Sequence, residues 1–115
     1  MPLDLRPPAT VAAAARRGLE LRREYGRGGT VVGVARARDL SNRRTLSLDT
    51  VRRMASFLAR HAVDLEAPAA TPGHPDYPSP GRIAWLLWGG EAGRRWASKI
   101  LKQEARLQAE TKGYA

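Results

Sequence analysis

Cysteine is absent from the 115 residues, which excludes a disulfide framework, thiolate zinc sites and a thiol nucleophile and gives no sign of an oxidising compartment. No run of about 18 apolar residues occurs, and the N-terminus lacks the basic, apolar and small-residue order of a signal peptide. The sequence therefore predicts a soluble intracellular protein, not secreted and without a membrane partner. Aromatics are scarce at 6%, so each of the three tryptophans carries weight in a core this small.

Acidic residues are also few, 11 against 20 Lys and Arg, for a formal charge of +9. Lysine is rarer still: 17 of the 20 cations are Arg and 3 are Lys. Arg offers a planar fork that pairs bidentately with phosphate, whereas Lys offers a point charge. A GC-rich genome, which would inflate Arg and also the 19 Ala, explains the bias equally well. The charge is uneven. Residues 1–60 hold 13 Arg and 5 Asp/Glu, for +8, and residues 61–115 hold 7 Lys/Arg and 6 Asp/Glu, for +1.

A chain of this length buries a modest core without disulfides or metal. Three prolines among the first eight residues make residues 1–9 an extended lead-in. Val11, Ala14, Gly18, Leu21 and Tyr25 recur at helical spacing between a Thr10 cap and a Gly26 stop, predicting a helix over 10–25. Its stripe of small residues lets a partner helix approach at Gly18, with Arg16, Glu20 and Arg23 facing elsewhere. Gly26-Arg27-Gly28-Gly29 permits a tight reversal, and Thr30 caps the next element. Val31, Val32 and Val34 favour a strand, but Ala35, Ala37 and the charges of 36–39 decide for a short helix over 31–40, with Asn42 left-handed just beyond it. Ser47, with Asp49 in the first turn, opens a third helix over 48–62. Leu48, Val51, Met54, Ala55, Leu58 and Ala62 share its apolar face, and Arg52, Arg53, Ser56 and Arg60 lie opposite.

Five prolines and two glycines from Val63 to Arg82 predict an irregular loop. A short helix from Ile83 ends at Gly89-Gly90, and a last helix runs from Glu91 to about Glu110 with Trp96, Ile100 and Leu107 on one face. Beyond Lys102 that helix is mostly polar and should project. The fold class expected is all-α: one domain over residues 10–111, a small bundle of four or five helices with the Pro-rich loop 63–82 before the last two, and a tail at 112–115.

Few constellations suggest chemistry. The Gly26–Gly29 stretch has neither a preceding strand nor a Gly-Lys-Ser/Thr ending, so it reads as a structural turn before it reads as a nucleotide site, although backbone N–H groups beside Arg27 could hold one phosphate. His61 and His74 have no cluster of metal-ligating neighbours, so neither a metal nor another cofactor is expected. His61 and Asp64, three apart at a helix end, read as an ordinary charge-assisted pair, without the nucleophile an enzyme would need. Trp85 and Trp96 sit among Ile, Leu and Ala and read as core. Trp88, beside two glycines, is expected partly exposed as a partner contact.

The arginines are the best lead. Arg36, Arg38, Arg43, Arg44, Arg52, Arg53 and Arg60 fall on two helices and the turn between them, an arrangement like a helix-turn-helix; with Arg27 they form the expected nucleic-acid-binding set. The connecting turn, Ser41 to Leu46, is longer than that motif normally has, so sequence-tolerant contact with the phosphates of DNA is expected over base reading. A solvated face that meets the acidic surface of another subunit is the alternative, and a homo-oligomer is compatible with it.

Five strings together carry a resemblance: Arg17 to Arg22 (RGLELR), Gly26 to Thr30 (GRGGT), Val32 to Leu40 (VGVARARDL), Arg60 to Asp64 (RHAVD) and Ala84 to Gly90 (AWLLWGG). They resemble a small domain of tailed-phage and prophage genomes, found as a short stand-alone protein or attached to head-associated proteins. The likeness spans about residues 10–101, with the Pro-rich segment variable in length, and it implies no catalytic residue. It implies phage context, in the host cytoplasm or the virion, and two jobs: contacting the genome, or forming part of the virion as a capsid decoration or head component that binds phage capsid subunits. The reading is of a non-enzymatic accessory protein that binds nucleic acid, with the virion role as the alternative.

Overall fold

The computed structural model describes residues 3–112. Five α-helices form: α1 Ala9–Tyr25, α2 Val31–Ser41, α3 Leu48–His61, α4 Pro80–Leu87 and α5 Gly90–Lys112. There is no strand among the described residues, so the all-α expectation holds. Met1, Pro2 and, of the expected tail, residues 113–115 lie outside the described residues.

Most helix ends follow local chemistry. The Thr30 hydroxyl accepts the Gly33 N–H at 3.1 Å and the Ser47 hydroxyl accepts the Thr50 N–H at 3.1 Å, each satisfying a donor the first turn leaves open. Gly26, at φ 64°, closes α1 by donating its N–H to the Arg22 carbonyl at 2.8 Å. Two ends differ from expectation. α1 begins behind Pro8 with no side-chain cap, and Thr10 is an exposed position inside the helix. After α2 the left-handed residue is Arg43 (φ 51°), not Asn42 (φ −89°). The helix runs one residue further than expected, and the Arg43 Nε–H donates to the Pro7 carbonyl at 2.9 Å, which holds the strained residue in place.

The Pro-rich segment is more regular than expected. Ala62–Glu66 and Pro68–Ala70 are 3-10 turns, Ala70 and Pro78 are fully buried, and the Ser79 N–H donates to the Ala69 carbonyl at 2.9 Å. The expected loop also ends early. Ser79 caps α4 by accepting the Arg82 N–H at 3.0 Å, with Pro80 as the first helical residue. Proline costs nothing at that position, since its missing N–H is one the first turn would leave unpaired. The lead-in is docked rather than free: Pro7 is fully buried, Leu3 and Leu5 pack on the core, and the Leu46 N–H donates to the Leu5 carbonyl at 2.9 Å.

Val11, Leu21, Leu40, Met54, Leu58, Ile83, Trp85 and Leu87 make the centre of the core. α1 packs on α2 and α4, and α3 packs on α5. Gly18 sets the α1–α4 approach as expected: a Cβ there would sit 2.7 Å from the Leu87 backbone nitrogen and 3.0 Å from the Leu86 carbonyl carbon. α3 and α5 run antiparallel, Arg52 lying beside Glu104 and Leu58 beside Gly93. α5 has 23 residues, about 34 Å at 1.5 Å rise, whereas α3 has 14 and begins one turn before Arg52. About one turn at the end of α5 therefore projects, and the molecule measures 58 × 27 × 21 Å.

Candidate nucleic-acid interface

Six of the eight arginines singled out in the sequence have partners within the chain. Asp39 takes two of them, Arg36 at 3.7 Å and Arg44 at 3.9 Å. Arg53 pairs with Asp49 at 3.0 Å, and Arg52 hydrogen-bonds Glu104 of α5. Arg43 holds the Pro7 carbonyl, and Arg27 donates to the Asp76 carbonyl at 3.1 Å with its guanidinium 5.6 Å from the Tyr25 ring centre. Arg38 and Arg60 are exposed and have no side-chain partner among the described residues. α2 and α3 are also not packed on each other as a helix-turn-helix pair would be, since α2 lies against α1 and α4 and α3 against α5.

Trp88 is part of the reason. Expected partly exposed for contact with a partner, it is buried, at 8% exposure. Its ring stacks on Phe57 of α3 with centres 4.6 Å apart, and the Arg36 guanidinium of α2 lies 5.5 Å from its centre. Room comes from Gly33, where a Cβ would sit 3.3 Å from the indole Nε1. The glycines after Trp88, read as a sign of exposure, instead turn the chain straight into α5 with φ 108° at Gly89 and 61° at Gly90, and that turn leaves the indole inside. Arg36 is thereby largely withdrawn from solvent, with 15% of its side chain exposed and its Nε without a partner. His61 extends the column, stacking on Phe57 at 4.2 Å and meeting Asp64 Oδ2 at 3.0 Å through Nδ1. No third polar side chain bonds to either residue among the described residues.

A different set of cations does converge. Arg94, Arg95, Lys99, Lys102 and Arg106 line one shallow trough along the solvent side of α5 with Ser98 and Gln103, and Glu91 is the single carboxylate among them. Glu91 contacts Arg95 at 3.4 Å and Arg94 at 3.9 Å. Lys99, Lys102 and Arg106 have no carboxylate partner among the described residues. Glu104, on the same helix, is turned to Arg52 and Gln108 and is 15% exposed. A second groove, lined by Ala55 and Ala59 of α3 and by Arg94, Ser98, Leu101, Lys102 and Ala105 of α5, shares Arg94, Ser98 and Lys102 with the trough. The cations that line one trough thus lie along α5 beside α3, not on α2 and α3.

Half-by-half charge totals hide this row, because residues 61–115 hold six acidic residues against seven cations. The periodicity was readable: 95, 99, 102 and 106 recur at helical spacing on one face. The glycine turn before α2 is structural. Gly28, at φ 89°, packs so closely that a Cβ would lie 2.7 Å from the Ile83 Cβ, and its carbonyl accepts the Arg22 Nε–H at 3.1 Å. Among the described residues no three His, Asp or Glu side chains gather to hold a metal, and no helix is long and apolar enough to cross a membrane. Compared with protein-family models, with curated proteins and with solved structures, the chain matches none.

Proposed function

We propose that the protein is a non-enzymatic accessory protein, of the phage type its sequence blocks resemble, that binds DNA through the phosphate backbone on the α3–α5 surface. The observation that carries the reading is the α5 trough, five cations with one carboxylate on a single exposed helix side. Ala55 and Ala59 of α3 line a groove that adjoins it, the same helix carries the exposed Arg52, Arg53 and Arg60, and a net charge of +9 adds long-range attraction for a polyanion. Lys and Arg heads on flexible stems contact phosphates without selecting bases, so the binding is sequence-tolerant. The test is affinity for a mixed-sequence DNA at low and at moderate salt. A steep loss, on the order of a hundredfold or more for four or five contacts, is expected; absence of binding at low salt removes the proposal.

A second reading, a head or decoration protein of a virion, is favoured by the projecting end of α5, where Glu104, Leu107, Gln108 and Thr111 line a largely apolar notch. Co-sedimentation with capsids that withstands high salt and is abolished by Leu107→Asp is the result expected from it.

A further inference from the structure

We infer that the nucleic acid held on the α3–α5 surface is double-helical, bound along its phosphate rails in preference to single strands. The inference rests on the reading proposed above and adds the class of ligand. Proteins that hold single strands combine a cationic groove with aromatic faces on which unpaired bases stack, and each stacked base contributes substantially to affinity. Among the described residues the cations lie without such a platform. Trp85, Trp88 and Trp96 are 2%, 8% and 8% exposed, and Phe57 is engaged between Trp88 and His61. Trp96 lines a separate shallow notch with Arg95 and Lys99. Tyr25, the exposed aromatic among the described residues, sits at the end of α1 under the Arg27 guanidinium, and no described aromatic lines either the α5 trough or the adjoining groove.

The cations are also presented in a way that suits a stiff partner. Arg95, Lys99, Lys102 and Arg106 fall within 12 residues of one helix, about 16 Å of rigid rod from first to last. Over that length a duplex offers about ten phosphates, at one charge per about 1.7 Å, and a single strand at the same rise offers about half as many. A flexible strand must in addition be ordered along the rod, and without stacking nothing offsets that loss of conformational freedom. The Ser98 and Gln103 side chains in the trough are neutral hydrogen-bond partners that suit sugar and phosphate oxygens. Lys, a point charge without fork geometry, makes up half of the four-residue row, which fits backbone contact better than base reading.

The experiment compares, by fluorescence anisotropy on the full chain, a mixed-sequence duplex about two helical turns long with an oligo-thymidine strand of the same length. Duplex binding at least tenfold tighter is expected, with a log–log salt slope near about −4 for four to five phosphate contacts. The variant Lys99→Ala/Lys102→Ala/Arg106→Ala should lower that slope by about 2 to 3 and bring the two affinities together. Circular dichroism checks that its helix content is kept, as expected for Ala at exposed helical positions. Single-strand binding equal to or tighter than duplex binding overturns the inference while leaving the proposed function standing, and so does a triple variant that keeps the full duplex preference. Failure of both probes to bind at low salt overturns the proposed function itself.

Discussion

The segment from α2 into α3 and the outer side of α5 are both rich in cations, yet they use them differently. Around α2 the guanidinium groups are turned inward or along the surface. Arg36 lies against Trp88, Arg43 holds the Pro7 carbonyl, and Arg44 leans on Asp39. On α5 the side chains of Lys99, Lys102 and Arg106 extend into solvent beside one another. The more highly charged half of the sequence thus spends much of its charge on holding itself together, and the half with a net charge near zero carries the more open row. Arginine in the first role is a packing and hydrogen-bonding residue whose stem and planar head cover apolar surface. Exposed lysine in the second role has little to do in the folded chain itself.

From this contrast, the largest stability effects are expected in the first region. Trp88→Ala removes the ring on which Phe57 and Arg36 both rest, and a loss of about 3–5 kcal/mol is expected from urea unfolding. A loss below about 1 kcal/mol would mean that the indole is not a structural element and would return it to the surface role the sequence suggested. Next in size is Gly18→Ala. Helix propensity alone favours Ala by about 1 kcal/mol, but the added Cβ would meet the α4 backbone at Leu87, so a net loss of about 1–3 kcal/mol is expected. Stabilisation by Gly18→Ala would show that α1 and α4 are further apart than described.

The fold was legible to the extent that local signals determined it. Thr30, Ser47 and Gly26 announce their helix ends because each acts on its own backbone neighbours, and the apolar face of α3 repeats at helical spacing. The misreadings arose where meaning depends on distant contacts. Pro80 breaks a helix or begins one according to whether a cap such as Ser79 precedes it. Trp88 next to Gly89-Gly90 is a surface signal only if nothing like Gly33 opens a space for the ring. For the candidate site the limit was sharper. Charge and helical spacing identify cations on a face, but which of them are drawn to Asp39, Asp49, Glu104 or a backbone carbonyl depends on tertiary neighbours that composition does not contain.

Arg43 tests the structural use of charge at intermediate size. Its left-handed backbone, φ 51°, costs about 1–2 kcal/mol for a residue with a Cβ, and the bond from Nε to Pro7 offsets it. Arg43→Ala keeps the strain and loses the bond, so a loss of about 1–2 kcal/mol is expected. Arg43→Gly loses the bond but relieves the strain and should be less damaging than Ala, an order that thermal unfolding of the two variants will check. An inverted order would mean that the guanidinium does not fix this turn.

The smallest stability effects carry the sharpest form of the comparison. Arg53 pairs with Asp49 one turn away, both about two-thirds exposed, and such a pair is worth about 0.3–0.5 kcal/mol. Lys99 has no partner to lose, and its replacement by Ala should alter stability by no more than about 0.5 kcal/mol. In unfolding experiments the two variants are therefore nearly alike. In DNA binding they should separate. Lys99→Ala deletes a charge whose counterion a phosphate would displace, lowering the salt slope by about 0.9. Arg53→Ala deletes a charge that Asp49 already half-neutralises, so its slope should change by less than half as much. Equal slopes for the two variants would mean that an ion pair on the surface does not withdraw an arginine from phosphate contact, and the distinction between the two regions would then reduce to position alone.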